Sequence, residues 1–279
     1  MRQVEKVDLG SDDWTMEIRP YASAFHFPIK ELWEYRDLLF LCVRRDFKTM
    51  YKQTILGPAW ILLSPLLTTG MFSLIFGRIA GISTDGTPAF LFYMEGNILW
   101  NYFSGCLSAA SNTFIGNAGL FGKVYFPRVV VPAASAVSKL ITFGAQFLLF
   151  LILLFCSPGS GQIRITWLCL MTPVLLVMLA LLAVGTGMIL ASLTAKYRDL
   201  QVLVGFGIQL WMYATPIVYP LSQIPGRWRI LLSLNPVACI VECFRYGWLG
   251  SGIVSIQNLL IGVGVILLIL FVGTVMFNK

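Results

Sequence analysis

Long apolar runs separated by short polar breaks dominate the chain. Crossing the ~30 Å hydrocarbon core of a bilayer takes about 20 residues of α-helix. Six runs approach or exceed that length, at residues 58–80, 90–116, 130–156, 166–195, 200–220 and 253–277. The pattern predicts six membrane-spanning helices within one transmembrane domain, residues 53–279.

The N-terminal part differs from the rest. Residues 1–30 are polar and mixed in charge and lack the apolar core of a secretory signal, so they predict a polar cytoplasmic lead. Residues 31–52 predict an amphipathic helix, because apolar side chains recur at three- and four-residue steps: Leu32, Tyr35, Leu39, Val43, Phe47 and Met50. Its second half is basic, with Arg44, Arg45, Lys48 and Lys52. A cationic stripe of this kind favours a helix in the membrane interface, and a packing helix of a small cytoplasmic domain is the alternative.

The segment 225–250 is mostly apolar but broken. Asn235 and Pro236 interrupt it near the middle, and Glu242 and Arg245 follow. Neither half is long enough to span, so the segment predicts two short helices that enter from one face and return, with their irregular backbone shielded by protein. A peripheral loop with two surface helices is the alternative.

Composition agrees with a membrane environment. The chain is 57% hydrophobic and only 12% charged, about half the usual charged share of soluble domains. We therefore predict an all-α integral membrane protein with lipid as a partner and no nucleic acid, despite the net charge of +7. With the N-terminus inside, fifteen of the twenty Lys and Arg residues fall on the cytoplasmic side, which predicts cytoplasmic N- and C-termini.

The sequence contains no motif for nucleotide hydrolysis. Gly122 and Lys123 precede Val124, and Asn117 stands where a phosphate-binding loop has its first glycine. Only four acids follow residue 52, and they are far apart: Asp85, Glu95, Asp199 and Glu242. A carboxylate pair or metal site is therefore not expected, and the six scattered cysteines are interpreted as packing residues. We expect this chain to bind no cofactor and to draw any energy for transport from a partner.

The loop between the second and third runs is unusually apolar for a cytoplasmic segment. It carries an aromatic knob with basic neighbours, comprising Leu120, Phe121, Lys123, Tyr125, Phe126, Pro127 and Arg128. An exposed apolar cluster of this kind predicts a docking point for a soluble partner. Immersion in the lipid interface is the alternative.

Several aromatic residues lie toward the ends of the runs: Trp60, Trp100, Tyr102, Trp211, Tyr213 and Tyr219. They suit the aromatic belt at the headgroup level. They equally suit a channel wall on which sugar rings stack, and the sequence leaves both interpretations open.

A series of short motifs, in order along the chain, resembles the polysaccharide-exporting ABC-2 permeases, which move lipid-linked O-antigen, capsule or teichoic acid chains. The similar stretches are Arg45–Lys48, Tyr51–Trp60, Phe76–Arg78, Gly96 with Trp100, Phe126–Arg128 with Pro132, Tyr197–Leu200, Thr215–Pro220, Ile224–Pro225, Leu234–Pro236 and Phe244–Arg245.

The resemblance implies a homodimer in the bacterial inner membrane, paired with two separate ATP-binding cassette subunits that bind ATP and magnesium. Residues 31–52 and the loop 118–128 would contact those subunits, and the channel would follow the dimer axis. The substrate would be a polysaccharide linked to undecaprenyl pyrophosphate, whose charge the basic run from Arg44 to Lys52 would attract; anionic lipid is the alternative ligand. Competing hypotheses are a drug or small-lipid exporter, a polyprenyl-lipid transferase and a passive channel.

Overall fold

The computed structural model describes residues 33–51, 56–121, 126–157, 164–197 and 199–278, and within these ranges every regular element is helical. The prediction of an all-α protein is confirmed. The predicted lead, residues 1–30, lies outside the described residues.

Eleven α-helices are named here in chain order. They are α1 Arg36–Tyr51, α2 Trp60–Phe72, α3 Ala89–Ser111, α4 Thr113–Gly116, α5 Ala118–Phe121, α6 Val130–Cys156, α7 Thr172–Lys196, α8 Leu200–Tyr213, α9 Gly226–Ser233, α10 Pro236–Leu249 and α11 Ile256–Asn278. Two are extended by other helical turns: Gly57–Ala59 and Ser73–Ile79 flank α2, and Trp167–Met171 leads into α7.

Four of the predicted spans are long and apolar enough to cross a membrane: Gly57–Ile79, Val130–Cys156, Trp167–Lys196 and Ile256–Asn278. Helix α3 has 23 residues and thus the length, but polar residues such as Glu95 and Asn97 lower its apolarity. Helix α8 has only 14 residues and ends before Pro216, because a proline disfavours helical backbone in the residue before it. At 1.5 Å per residue it covers about 21 Å.

Helix α3 forms the centre of the bundle and packs against α2, α6 and α7. Close approach elsewhere depends on small residues. A Cβ atom added at Gly273 of α11 would lie 2.5 Å from the carbonyl oxygen of Gly185 in α7. Glycine at such crossings lets two backbones come together, as is usual between membrane helices.

The two ends of α3 define the two ends of the molecule. We call the end where α3 begins the first pole and the end where it finishes the second pole. At the first pole, Ser222 donates to Asp85 at 2.8 Å. At the second pole, Gln201 donates to Asn112 at 3.1 Å. A 23-residue helix measures about 34 Å, which is close to the thickness of a bilayer core.

The broken segment before α11 consists of α9 and α10, divided as predicted at Asn235. The Asn235 side chain caps α10 by accepting from the Val237 N–H at 3.1 Å. Most of α10 is buried, including Glu242 and Arg245. Helix α10 is therefore part of the helical core and not a surface helix.

Candidate functional site

At the second pole, α1 packs against the start of α6. Phe126, Val130 and Val131 are buried and contact Tyr35, Leu38 and Leu39 of the α1 region. One turn further, Cys42 and Val43 pack on Ala134. Burial raises the pKa of the Cys42 thiol, which suits its interpretation as a packing residue. Helix α1 is thus held by its own chain.

This packing changes which face of α1 is free. Tyr35, Leu39 and Val43, three members of the stripe predicted to meet the membrane, contact the chain itself. The opposite face exposes Trp33 (72%) and Phe40 (77%). The Arg36 guanidinium lies 5.8 Å from the Trp33 ring. Lipid or a partner would therefore meet this aromatic and basic face.

The basic run on α1 has exposed members, one of which is hydrogen-bonded among the described residues. Arg44 and Lys48 are exposed. Arg45 donates to Asp46 at 2.8 Å and to the Asn117 side chain at 3.2 Å, which ties α1 to the turn between α4 and α5. Lys52 lies outside the described residues.

The predicted knob is only partly described. Phe126 is 5% exposed and stacks on Phe121 with ring centroids 5.4 Å apart. Pro127 is buried beside it, and Arg128 is exposed, with its guanidinium 5.7 Å from the Phe114 ring. Lys123 and Tyr125 lie outside the described residues, as does the side chain of Leu120. Phe126 therefore joins the loop to α1 in this chain, and its contact with a partner stays a prediction.

At the first pole, a buried guanidinium connects separate segments. Arg245 is 1% exposed; its Nε donates to Glu95 at 3.1 Å, Nη1 to Glu242 at 2.8 Å and Nη2 to the Pro216 carbonyl at 2.9 Å. Its Cζ lies 4.0 Å from the centre of the Phe92 ring. Buried charges need such pairing, because their desolvation is costly, although among the described residues the Glu95 Oε1 atom has no hydrogen-bond partner. Arg245 thereby fixes α10 to α3 and to the turn after α8.

Two further groups complete this cluster. The second oxygen of Glu242 accepts from the Ile253 N–H at 2.9 Å, which adds the segment before α11. The Asn235 amide donates to the Ala214 carbonyl at 3.2 Å and accepts from the Trp211 indole at 3.3 Å. Irregular backbone between α8 and α11 is therefore held by side chains.

The six predicted channel aromatics do not share one surface. Trp100 and Tyr102 are each 5% exposed and lie in the core, near Phe103 and Phe143 respectively. Trp211 and Tyr219 are half-buried, and the Tyr219 hydroxyl donates to the Tyr213 carbonyl at 2.8 Å. Only Trp60 and Tyr213 of this set have exposed rings.

Sequence reasoning identified Asn235, Pro236, Glu242 and Arg245 together but treated Glu95 as an isolated acid. Arg245 and Glu95 are 150 positions apart, and no local spacing joins them. The sequence signal that could have linked them is that Glu95 and Arg245 are each an ionisable residue within an otherwise apolar run.

Apolar helices of spanning length, a central polar-bearing helix and a buried charge cluster together define a polytopic helical membrane protein. The chain belongs to the ABC-2 type transporter family, whose profile matches residues 37–249. It is therefore a transporter component and not an enzyme by family.

Individual relatives have more specific names. The chain is 30% identical to the O-antigen export system permease protein RfbA of Myxococcus xanthus, over 78% of this chain and 82% of the relative. It is 28% identical to the protein of the same name from Klebsiella pneumoniae, over 87% and 92%. It is 23% identical to the polysialic acid transport protein KpsM of Escherichia coli, over 78% and 83%.

Proposed function

We propose that this chain is the transmembrane subunit of an ATP-driven exporter that moves a lipid-linked polysaccharide of the O-antigen type. The observation that carries the proposal is the alignment with O-antigen export permeases over 78% and 87% of the chain. The polysialic acid transport protein, a more distant relative, supports the broader class of polysaccharide substrates.

The proposed topology has six spans in the bacterial inner membrane: the four apolar helices, α3, and α8 together with the turns that follow it to Pro220. The second pole, which carries α1, faces the cytoplasm, as do both termini. The exposed bases at this pole support that orientation, since cytoplasmic segments are enriched in Lys and Arg: Arg44, Lys48, Arg128 and Lys196.

A second copy of the chain completes the proposed permease. None of the residues of α8, all of which the structure describes, is buried, and only Pro65 and Thr69 are buried in α2. Helix α8 also exposes the amide side chain of Gln209. A polar side chain on a lipid-facing helix is unfavourable, so these two helices are suited to face a partner copy and a shared channel.

Two ATP-binding cassette subunits, which would hold ATP and magnesium, supply the energy in this proposal. They would dock at the second pole, where α1 and the loop before α6 form one packed unit. Arg44 and Lys48, which are exposed, would attract the undecaprenyl pyrophosphate of the substrate, whereas Arg45 is bonded to Asp46 and Asn117.

The test is ATPase stimulation in the complex purified with its ATP-binding subunit. A polysaccharide linked to undecaprenyl pyrophosphate should raise ATP hydrolysis, while the free polysaccharide and hydrophobic drugs should not. Stimulation by drugs alone would support a drug exporter instead. Chemical turnover of a polyprenyl donor without the ATP-binding subunit would support a transferase.

A further inference from the structure

The central helix α3 and its C-cap carry a polar stripe whose middle part, between Asn97 and Asn112, is used by neither the core nor the charge cluster. Its members recur at three- and four-residue steps and thus share one helix face: Asn97, Asn101, Ser104, Ser108 and Asn112. Such a stripe is unusual on a helix whose other faces pack in an apolar bundle.

The stripe emerges from the bundle toward the second pole. Asn97 is buried under α2, where its amide lies 3.4 Å from the Pro65 carbonyl and 3.5 Å from the Thr69 hydroxyl. Asn101 and Ser104 are half-buried and Ser108 is exposed. Helix α2 therefore covers only the end of the stripe that is nearer the first pole.

The open part of the stripe lacks protein partners. Within the part of the chain that the structure describes, the Asn101 amide makes no hydrogen bond, and Ser104 reaches only its own helix, 3.5 Å from the Asn101 carbonyl. An amide that faces hydrocarbon without a partner is strongly disfavoured. We therefore expect these groups to meet water or a polar molecule in the assembled permease.

The side chain of Lys139, which lies beside the open part of the stripe, also indicates a polar environment there. Lys139 of α6 lays its stem beside Gly105, where an added Cβ would be 3.4 Å from the Lys139 Cδ. Within the described ranges its ammonium has no ion pair. A lysine inside a span normally faces a water-filled cavity or extends to the interface.

We infer that this face of α3, from Asn101 to Ser108 beside Lys139, lines the hydrated path through which the polymer passes. The inference rests on the proposed function and names residues for it. Neutral amides and hydroxyls offer weak, exchangeable hydrogen bonds to sugar hydroxyls, which a sliding polymer needs. Trp100 and Tyr102 of the same helix are buried and do not present rings to this face.

Cysteine accessibility tests the inference in the full complex with its ATP-binding subunit. Asn101→Cys, Ser104→Cys and Ser108→Cys are made in a background with Cys156→Ser and Cys169→Ser, because those native thiols are exposed and half-buried respectively. Leu148→Cys, at a 60% exposed position on α6, is the matched control. Each protein is treated with a charged methanethiosulfonate reagent and with a lipid-soluble maleimide.

The expected result is reaction of the stripe positions with the charged reagent, reaction of Leu148→Cys with the maleimide only, and at least a tenfold loss of export on modifying Ser108→Cys. Three results would overturn the inference: stripe thiols that react only with the maleimide, unreactive stripe thiols that instead form disulfides between two copies, or full export after modification. If the complex exports polymer and one of these results is obtained, only the inference about the stripe is overturned. If the stripe thiols react with the charged reagent but the complex moves no polymer, the proposed function is overturned as well.

Discussion

At the residue scale, Arg245 is the side chain on which the first pole depends most. It is 1% exposed and pairs with Glu95 and Glu242, so its removal would leave two carboxylates buried without a cation. We expect Arg245→Met to destabilise the protein by about 3–5 kcal/mol, measured as a fall in Tm of the purified protein. Arg227→Met is the control, since Arg227 is exposed and its loss should change stability by less than about 0.5 kcal/mol. Equal Tm values for the two variants would contradict the role of the cluster.

The same residues show how far sequence reasoning reaches at this scale. A base and an acid in the broken apolar segment were sufficient to single out Arg245 and Glu242. Their partner Glu95 comes from another span, and the Pro216 carbonyl comes from backbone that has no sequence signature. Only the packing of α3 against α10 brings these atoms together.

At the element scale, the contact between α7 and α11 predicts a sharp difference between two glycines of one helix. A Cβ at Gly273 would lie 2.5 Å from the Gly185 carbonyl oxygen, whereas a Cβ at Gly264 would have nothing within 4 Å. Gly273→Ala should therefore force the helices apart and lower stability by about 1–3 kcal/mol. Gly264→Ala should be neutral or stabilising by up to about 1 kcal/mol, because alanine is the better helix former. A Tm for Gly273→Ala at or above that of Gly264→Ala would show that the two helices do not pack closely.

Helix α1 gives a second prediction at this scale, because its two faces should respond differently. Trp33→Ala with Phe40→Ala removes two exposed rings and should leave the Tm unchanged while reducing co-purification of the ATP-binding subunit at least tenfold. Leu39→Ala with Val43→Ala removes side chains that pack on the α6 region and should instead lower the Tm of the permease alone. Normal co-purification of the first variant would assign its exposed face to lipid.

Regular elements were the most predictable part of the fold, and irregular ones the least. Residues 130–156 were predicted as a span and form α6 with those bounds, because the run is continuous and apolar. The span predicted at 200–220 ends at Tyr213, since Pro216 breaks a helix that hydropathy alone would extend. Which face of α1 stays exposed could not be predicted, because apolar residues lie on both faces and periodicity does not say which one the chain covers.

At the scale of the whole molecule, the proposed docking unit of α1 and the loop before α6 lies at the second pole, Arg245 fixes the first pole, and the polar stripe of α3 runs between them. Neither the four helices that are long and apolar enough to span nor the family alone specifies this division. It follows from the positions of two sets of contacts: the Arg245 cluster lies at the first pole, and the packing of α1 on the α6 region lies at the second pole.

Polymer export by this chain is tested most directly by transport into sealed vesicles that contain the permease and its ATP-binding subunit. Both the ATP-binding face and radiolabelled polysaccharide on undecaprenyl pyrophosphate should be outside, so that export moves the polymer into the lumen. We expect ATP to make the label resistant to an added glycosidase, and a hydrolysis-deficient ATP-binding subunit to abolish this protection. Label that stays sensitive to the glycosidase while ATP is hydrolysed would contradict this expectation.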